Sequence, residues 1–139
     1  MTEPDARRPL ILVVDDNDVN RQLARDGLAD RGWDLIEADS GSAGLVLIDR
    51  CRPDVVVLDI MMPDIDGIQV LRLLRSRGPS LARTQVIAMT SLAMPRDRER
   101  CLAAGADDYL RRPCSLKSLR ERVAAALVRA GVGLDVPTT

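Results

Sequence analysis

Two carboxylates, Asp15 and Asp16, close the aliphatic run Ile11-Leu12-Val13-Val14, and a third, Asp59, closes Val55-Val56-Val57-Leu58. Continuous aliphatic runs of this length read as strands buried on both faces, as a parallel sheet requires. Acidic residues just past them fall on the carboxyl edge of the sheet, where open α/β folds bind ligands. Three carboxylates gathered there repel one another. At an effective dielectric near 20, two charges about 4 Å apart cost roughly 4 kcal/mol, so the cluster demands a cation or a proton. An all-oxygen set without histidine or cysteine favours a hard ion such as Mg2+. The chemistry expected is a metal held beside one reactive aspartate, Asp59.

The elements that must position these groups alternate strand and helix five times. The first strand, Leu10 to Val14, precedes a helical stretch with Val19, Leu23, Ala24 and Leu28 on one face, ended by Gly32. A strand over Asp34 to Ala38 leads through Ser40-Gly41 into a helix carrying Ala43, Leu47 and Ile48. Pro53-Asp54 marks the entry to the third strand, and the loop Pro63-Asp64-Ile65-Asp66-Gly67 follows Asp59 before a helix with Ile68, Leu71 and Leu74. The fourth strand is Gln85 to Met89, then a charged helix over Arg96 to Ala104 and a short strand, Tyr109-Leu110. Leu116, Leu119, Val123 and Leu127 give the last helix its 3.6-residue period, with Ser115 as its N-cap. Such alternation predicts an α/β fold, a doubly wound parallel sheet with helices on both faces and right-handed crossovers. One domain is expected over residues 9–130, with flexible termini at 1–8 and 131–139. Asp64 and Asp66 read as loop and capping residues, and Gly67 as a positive-φ residue before a helix.

Composition limits the function classes. The chain has 139 residues, no Phe, and only Trp33 and Tyr109 as aromatics, so its core must be aliphatic. A formal charge of −1 gives no global field that argues for nucleic acid or membrane. Nearly all the basic residues are arginine, Lys117 being the exception. Cys51, Cys101 and Cys114 are odd in number and lack C-x-x-C spacing, which suits reduced thiols in a cytoplasmic protein. No apolar run is long enough for a signal peptide or a membrane span.

Four segments in order resemble the receiver domains of two-component response regulators. They are Leu12-Val13-Val14-Asp15-Asp16-Asn17, Leu58-Asp59-Ile60-Met61-Met62-Pro63-Asp64-Ile65-Asp66-Gly67, Met89-Thr90-Ser91, and Gly105-Ala106-Asp107-Asp108-Tyr109-Leu110-Arg111-Arg112-Pro113. The resemblance covers residues 9–130 and implies a five-stranded (βα)5 flavodoxin-like receiver with strand order 2-1-3-4-5. It makes Asp59 the phosphoacceptor. Asp16 and Asp59 would ligate Mg2+ directly, Asp15 through water, and the Met61 carbonyl would complete the protein ligands. Thr90 would bind a phosphoryl oxygen and, with Tyr109, form the switch. One departure stands out: the family carries Lys before the proline after the fifth strand, and this chain has Arg112-Pro113. Arginine keeps the charge but brings a planar fork, which is not a conservative exchange at a close-fitting site.

The expected function is therefore a single-domain response regulator. It would take a phosphoryl group from a histidine kinase or histidine phosphotransferase and signal by phosphorylation-dependent binding of a downstream protein. It would be no enzyme beyond catalysing its own aspartyl phosphorylation and dephosphorylation. The partner expectations exclude nucleic acid and membrane and include a homodimer through the fourth helix, fifth strand and final helix, a face bearing Arg96, Arg98, Arg100 and Arg111. The alternative is a receiver-like interaction module that is never phosphorylated, with Arg112 imitating the active contact. A flavin- or nucleotide-binding role fits poorly, because Asp15-Asp16-Asn17 stands where a glycine-rich phosphate loop would be needed.

Overall fold

The computed structural model describes residues 8–62, 64–91 and 96–132. Five strands form one sheet: β1 (Leu10–Val14), β2 (Asp34–Ala38), β3 (Val55–Asp59), β4 (Gln85–Thr90) and β5 (Asp108–Arg111). All neighbouring pairs are parallel, in the order β2-β1-β3-β4-β5. The helices are α1 (Asp18–Leu28), α2 (Gly41–Cys51), α3 (Gly67–Arg75), α4 (Asp97–Ala104) and α5 (Leu116–Ala130), with a 3-10 turn over Gly78–Leu81.

Both faces of the central strands are apolar, so alternate residues serve two cores. Leu12, Val14, Val56, Leu58, Val86 and Ala88 pack toward α2, α3 and α4. Ile11, Val13, Val55, Val57, Ile87 and Met89 pack toward α1 and α5. Register places the chemistry. Val14 pairs with Leu58, so Asp15 and Asp59, each one residue further on, come out side by side at the carboxyl edge. Local signals start the helices: Asn17, Ser40, Asp66 and Ser115 each accept a hydrogen bond from the backbone N–H three residues on.

The expected buried face of α1 is rotated. Val19 and Leu23 are exposed, and the helix packs through Ala24, Gly27 and Leu28. Gly27 lies against Leu116 of α5, where a Cβ would stand 3.1 Å from Leu116 Cδ2. The helix also ends at Leu28, with Gly32 in the turn beyond it at φ 80°. Four other boundaries shift by a residue: β4 includes Thr90, α4 begins at Asp97, and β5 gains Asp108 and Arg111 at its two ends.

Gly67 does not have the positive φ expected of it. It is required by proximity instead, since a Cβ would lie 2.6 Å from the Asp59 carbonyl oxygen and 2.7 Å from Ile60 Cα. At the ends, residues 1–7 and 133–139 lie outside the described residues. Arg8 is tied down, its Nη2 donating to the Trp33 carbonyl and its Nε 2.8 Å from Asp34 Oδ1. Gly131 caps α5 in the left-handed conformation, and Val132 donates its N–H to the Leu127 carbonyl.

Candidate functional site

Asp15, Asp16 and Asp59 meet at the sheet edge, each offering a carboxylate oxygen within 4.8 Å of the others. Their environments differ. Asp15 is 1% exposed and fully engaged: Oδ1 accepts from the Asn17 N–H at 2.9 Å, and Oδ2 from Arg112 Nη2 at 2.5 Å. Asp59 is 5% exposed, and its Oδ1 accepts from the Met61 N–H at 3.1 Å. Asp16 is exposed, and its carboxylate makes no hydrogen bond or ion pair among the described residues. The lone pairs left for a ligand therefore belong to Asp16 and to the second oxygen of Asp59.

Arg112 enters this pocket from the end of β5. Its Nη1 stands 3.6 Å from Asp59 Oδ1 while Nη2 bonds Asp15, so one guanidinium straddles two carboxylates. Its backbone N–H donates to the Thr90 carbonyl at 2.8 Å, which links β5 to the end of β4. Burial pushes the Asp59 carboxyl up to about 6. The Met61 N–H pulls it down, Asp15 and Asp16 push it up, and Arg112 opposes them. One guanidinium against three carboxylates leaves the pocket short of positive charge. Oxygen-only donors with lone pairs aimed inward suit a small hard cation such as Mg2+.

Among the other residues singled out from the sequence, Thr90 is buried beside the Asp59–Met89 register pair. Met61 is half-exposed, with its N–H on Asp59. Tyr109 is half-buried against the core beneath α4, and burial raises its phenol pKa. Arg96, Arg98, Arg100 and Arg111 are exposed on α4 and β5. Pro63 lies outside the described residues. Asp66 caps α3 as expected, but Asp64 reaches α2. It accepts from the Gly41 N–H and Ser42 N–H, each at 3.2 Å, and from Ser42 Oγ at 2.9 Å. These donors, the Ser42 and Ile65 amides first among them, hold its carboxyl down to about 2.

Arg21 was not legible as a site residue. Its Nη1 donates to the Asp15 carbonyl at 2.7 Å, and its Nε to Glu37 Oε1 at 3.1 Å. The only signal in the sequence is an arginine one turn into the helix after the acidic pair, which reads equally well as a solvated helix face.

The family model for the response regulator receiver domain matches residues 11–124. The chain is 39% identical over 132 residues to the probable transcriptional regulatory protein TcrX of Mycobacterium tuberculosis, covering 95% of this chain and 55% of that protein. It is 43% identical over 119 residues to the response regulator MprA of Mycobacterium sp. (strain KMS), covering 86% of this chain and 50% of that protein. It thus spans about half the length of these curated relatives. The receiver domain of the Francisella response regulator 1452 superposes with a TM-score of 0.80 at 34% identity, covering 88% of this chain and 98% of that one. The expected exclusion of nucleic acid is corrected by the first of these relatives, which is a transcriptional regulatory protein by name. Net charge near zero could not carry that exclusion, because it speaks only for the residues counted. No helix among the described residues is long and apolar enough to cross a membrane.

Proposed function

The chain belongs to the response regulator receiver domain family of two-component systems, and from that premise we propose that Asp59 is its phosphoacceptor. The observation that carries this is the convergence of Asp15, Asp16 and Asp59, from two strand ends, within 4.8 Å. An Asp59 carboxylate oxygen attacks the phosphorus of a phosphohistidine on a kinase or phosphotransferase. The P–N bond breaks as the P–O bond forms, and the departing imidazole takes up a proton. Asp16 and the second oxygen of Asp59 would hold Mg2+ directly, with the Met61 carbonyl as a further ligand. Asp15, with both oxygens engaged, acts from outside the coordination shell. A cation held by these residues would supply charge neutralisation to the transferring phosphoryl oxygens, where catalysis of such transfers mostly lies.

Arg112 supplies a second cation to the same group. Thr90, joined to Arg112 through the backbone, takes a phosphoryl oxygen, and Tyr109 reorients on the face formed by α4, β5 and α5. A tenfold population shift needs only about 1.4 kcal/mol, within reach of one charge-assisted hydrogen bond. The chain's only catalysis is of its own aspartyl phosphorylation and dephosphorylation, in the cytoplasm.

The straddling of Asp15 and Asp59 by Arg112 also favours a second reading, a receiver held in one state without phosphate. Beryllofluoride with Mg2+ separates the two. Uptake that raises the melting temperature, and is lost in Asp59→Asn, supports the phosphoacceptor. A pocket that takes up neither ion supports the unphosphorylated module.

A further inference from the structure

Asp16 poses a problem of aim. Among the described residues its carboxylate makes no hydrogen bond or ion pair, so no such bond at its tip sets its direction. The backbone on either side must do so. On one side, the Asn17 N–H is held by Asp15 Oδ1 at 2.9 Å. On the other, the Asp15 carbonyl accepts from Arg21 Nη1 at 2.7 Å, while the Asp15 N–H donates to the Ala38 carbonyl at 3.0 Å. A peptide unit is planar, so fixing the Asp15 carbonyl oxygen fixes the plane that carries Asp16 N and Cα. Arg21 is itself held firmly. Its side chain is 15% exposed, bonded to Glu37 of β2 and paired with Asp18 on its own helix. Arg25 grips the other Glu37 oxygen, so that carboxylate is anchored from two sides.

We propose that Arg21 is a positioning residue for the metal site. By pinning the Asp15 carbonyl to β2 and α1, it sets the direction in which Asp16 presents its carboxylate. This role rests on the Mg2+ site proposed above and adds to it a residue that touches neither metal nor substrate. Orientation and charge pull in opposite directions here, which makes the role testable. Loss of a cation bonded to the Asp15 backbone should, by charge alone, tighten binding of a divalent ion. Loss of an outer contact that orients a ligand should weaken it, by roughly tenfold.

The experiment is calorimetric titration of EDTA-stripped protein with Mg2+ for wild type, Arg21→Ala, Arg21→Lys and Arg25→Ala. Arg21→Ala should bind about tenfold more weakly. Arg21→Lys keeps the charge but cannot span Asp15 and Glu37 together, so it should fall between the two. Arg25→Ala removes a Glu37 contact without touching Asp15 and should match wild type. Should Arg21→Ala not fold, the loss in Arg21→Lys against an unchanged Arg25→Ala decides the question. Equal or tighter binding by the Arg21 variants would overturn the role. Equal losses in Arg21→Lys and Arg25→Ala would do so as well, by reducing it to general support of the fold. A wild type that takes up no Mg2+ would remove the metal site itself, and Arg21's role with it.

Discussion

Arg112 sits closer to Asp15 than to Asp59, with Nη2 2.5 Å from Asp15 Oδ2 and Nη1 3.6 Å from Asp59 Oδ1. A lysine at this position has one ammonium and cannot hold both contacts along a fixed fork. The arginine is thus anchored on the carboxylate whose oxygens are both engaged and leans toward Asp59. On the proposed function, phosphorylation of Asp59 would give Nη1 a phosphoryl oxygen to bind while Nη2 kept Asp15.

That geometry sets the expectation for Arg112→Lys. Transition-state stabilisation needs placement within about half an ångström, and a fork anchored on Asp15 cannot adjust as an ammonium can. Arg112→Lys should label faster from acetyl phosphate, with Mg2+ affinity little changed. Rates and affinities matching wild type would show the exchange to be neutral.

Removing the charge altogether should destabilise. Asp15 is buried, and Arg112 is its ion-pair partner, so Arg112→Met strands a carboxylate, at a cost of about 3 kcal/mol. Adding Asp15→Asn should restore most of the loss. Chemical denaturation of the two variants at pH 8 checks both statements, and additive losses in the double variant would count against the pairing.

The Asp59 carboxyl, pushed up from 3.8 to about 6, makes metal-free stability depend on pH. Between those values the folded state binds more protons than the unfolded one, so stability falls as pH rises. The contribution is present below pH 4 and lost by pH 7, by about 3 kcal/mol. Asp59→Asn lacks this dependence. In EDTA it should melt above wild type at pH 8, and the two should converge near pH 4. Parallel melting curves across that range would mean Asp59 is not crowded.

Gly67→Ala should damage the site without touching a carboxylate. Its Cβ would press on the Asp59 carbonyl and Ile60 Cα at 2.6 and 2.7 Å, and overpacking of this kind costs typically 1–3 kcal/mol. Labelling of Asp59 should slow in the same variant. An unperturbed Gly67→Ala would show that the loop relaxes freely.

Much of this architecture was legible from residue pattern. The aliphatic runs ending in Asp15-Asp16 and Asp59 define strands and edge together, because parallel strands in register carry their next residues to one place. Capping by Asn17 was not foreseen, while Ser115 and Asp66 announced themselves by type and position. What escaped pattern was close approach. Gly27 admits Leu116 at close range, and Gly67 is needed by the Asp59 carbonyl, neither of which leaves a periodic trace. Long-range polar contacts were equally silent: Asp64 to the start of α2, and Arg21 to Asp15 and Glu37. Partner class was misjudged because net charge describes a chain's own surface, whereas this chain spans only about half the length of those relatives.

If three carboxylates and a metal make Asp59 a phosphoacceptor, incubation with acetyl phosphate must change the intact mass of the chain. Wild type with Mg2+ should gain one phosphate per chain, and none in EDTA. Asp59→Asn should gain none in either condition, and Asp16→Ala should lose both Mg2+ binding and labelling. A phosphorylated Asp59→Asn protein, or a wild type left unmodified while its folded state binds Mg2+, would contradict the assignment.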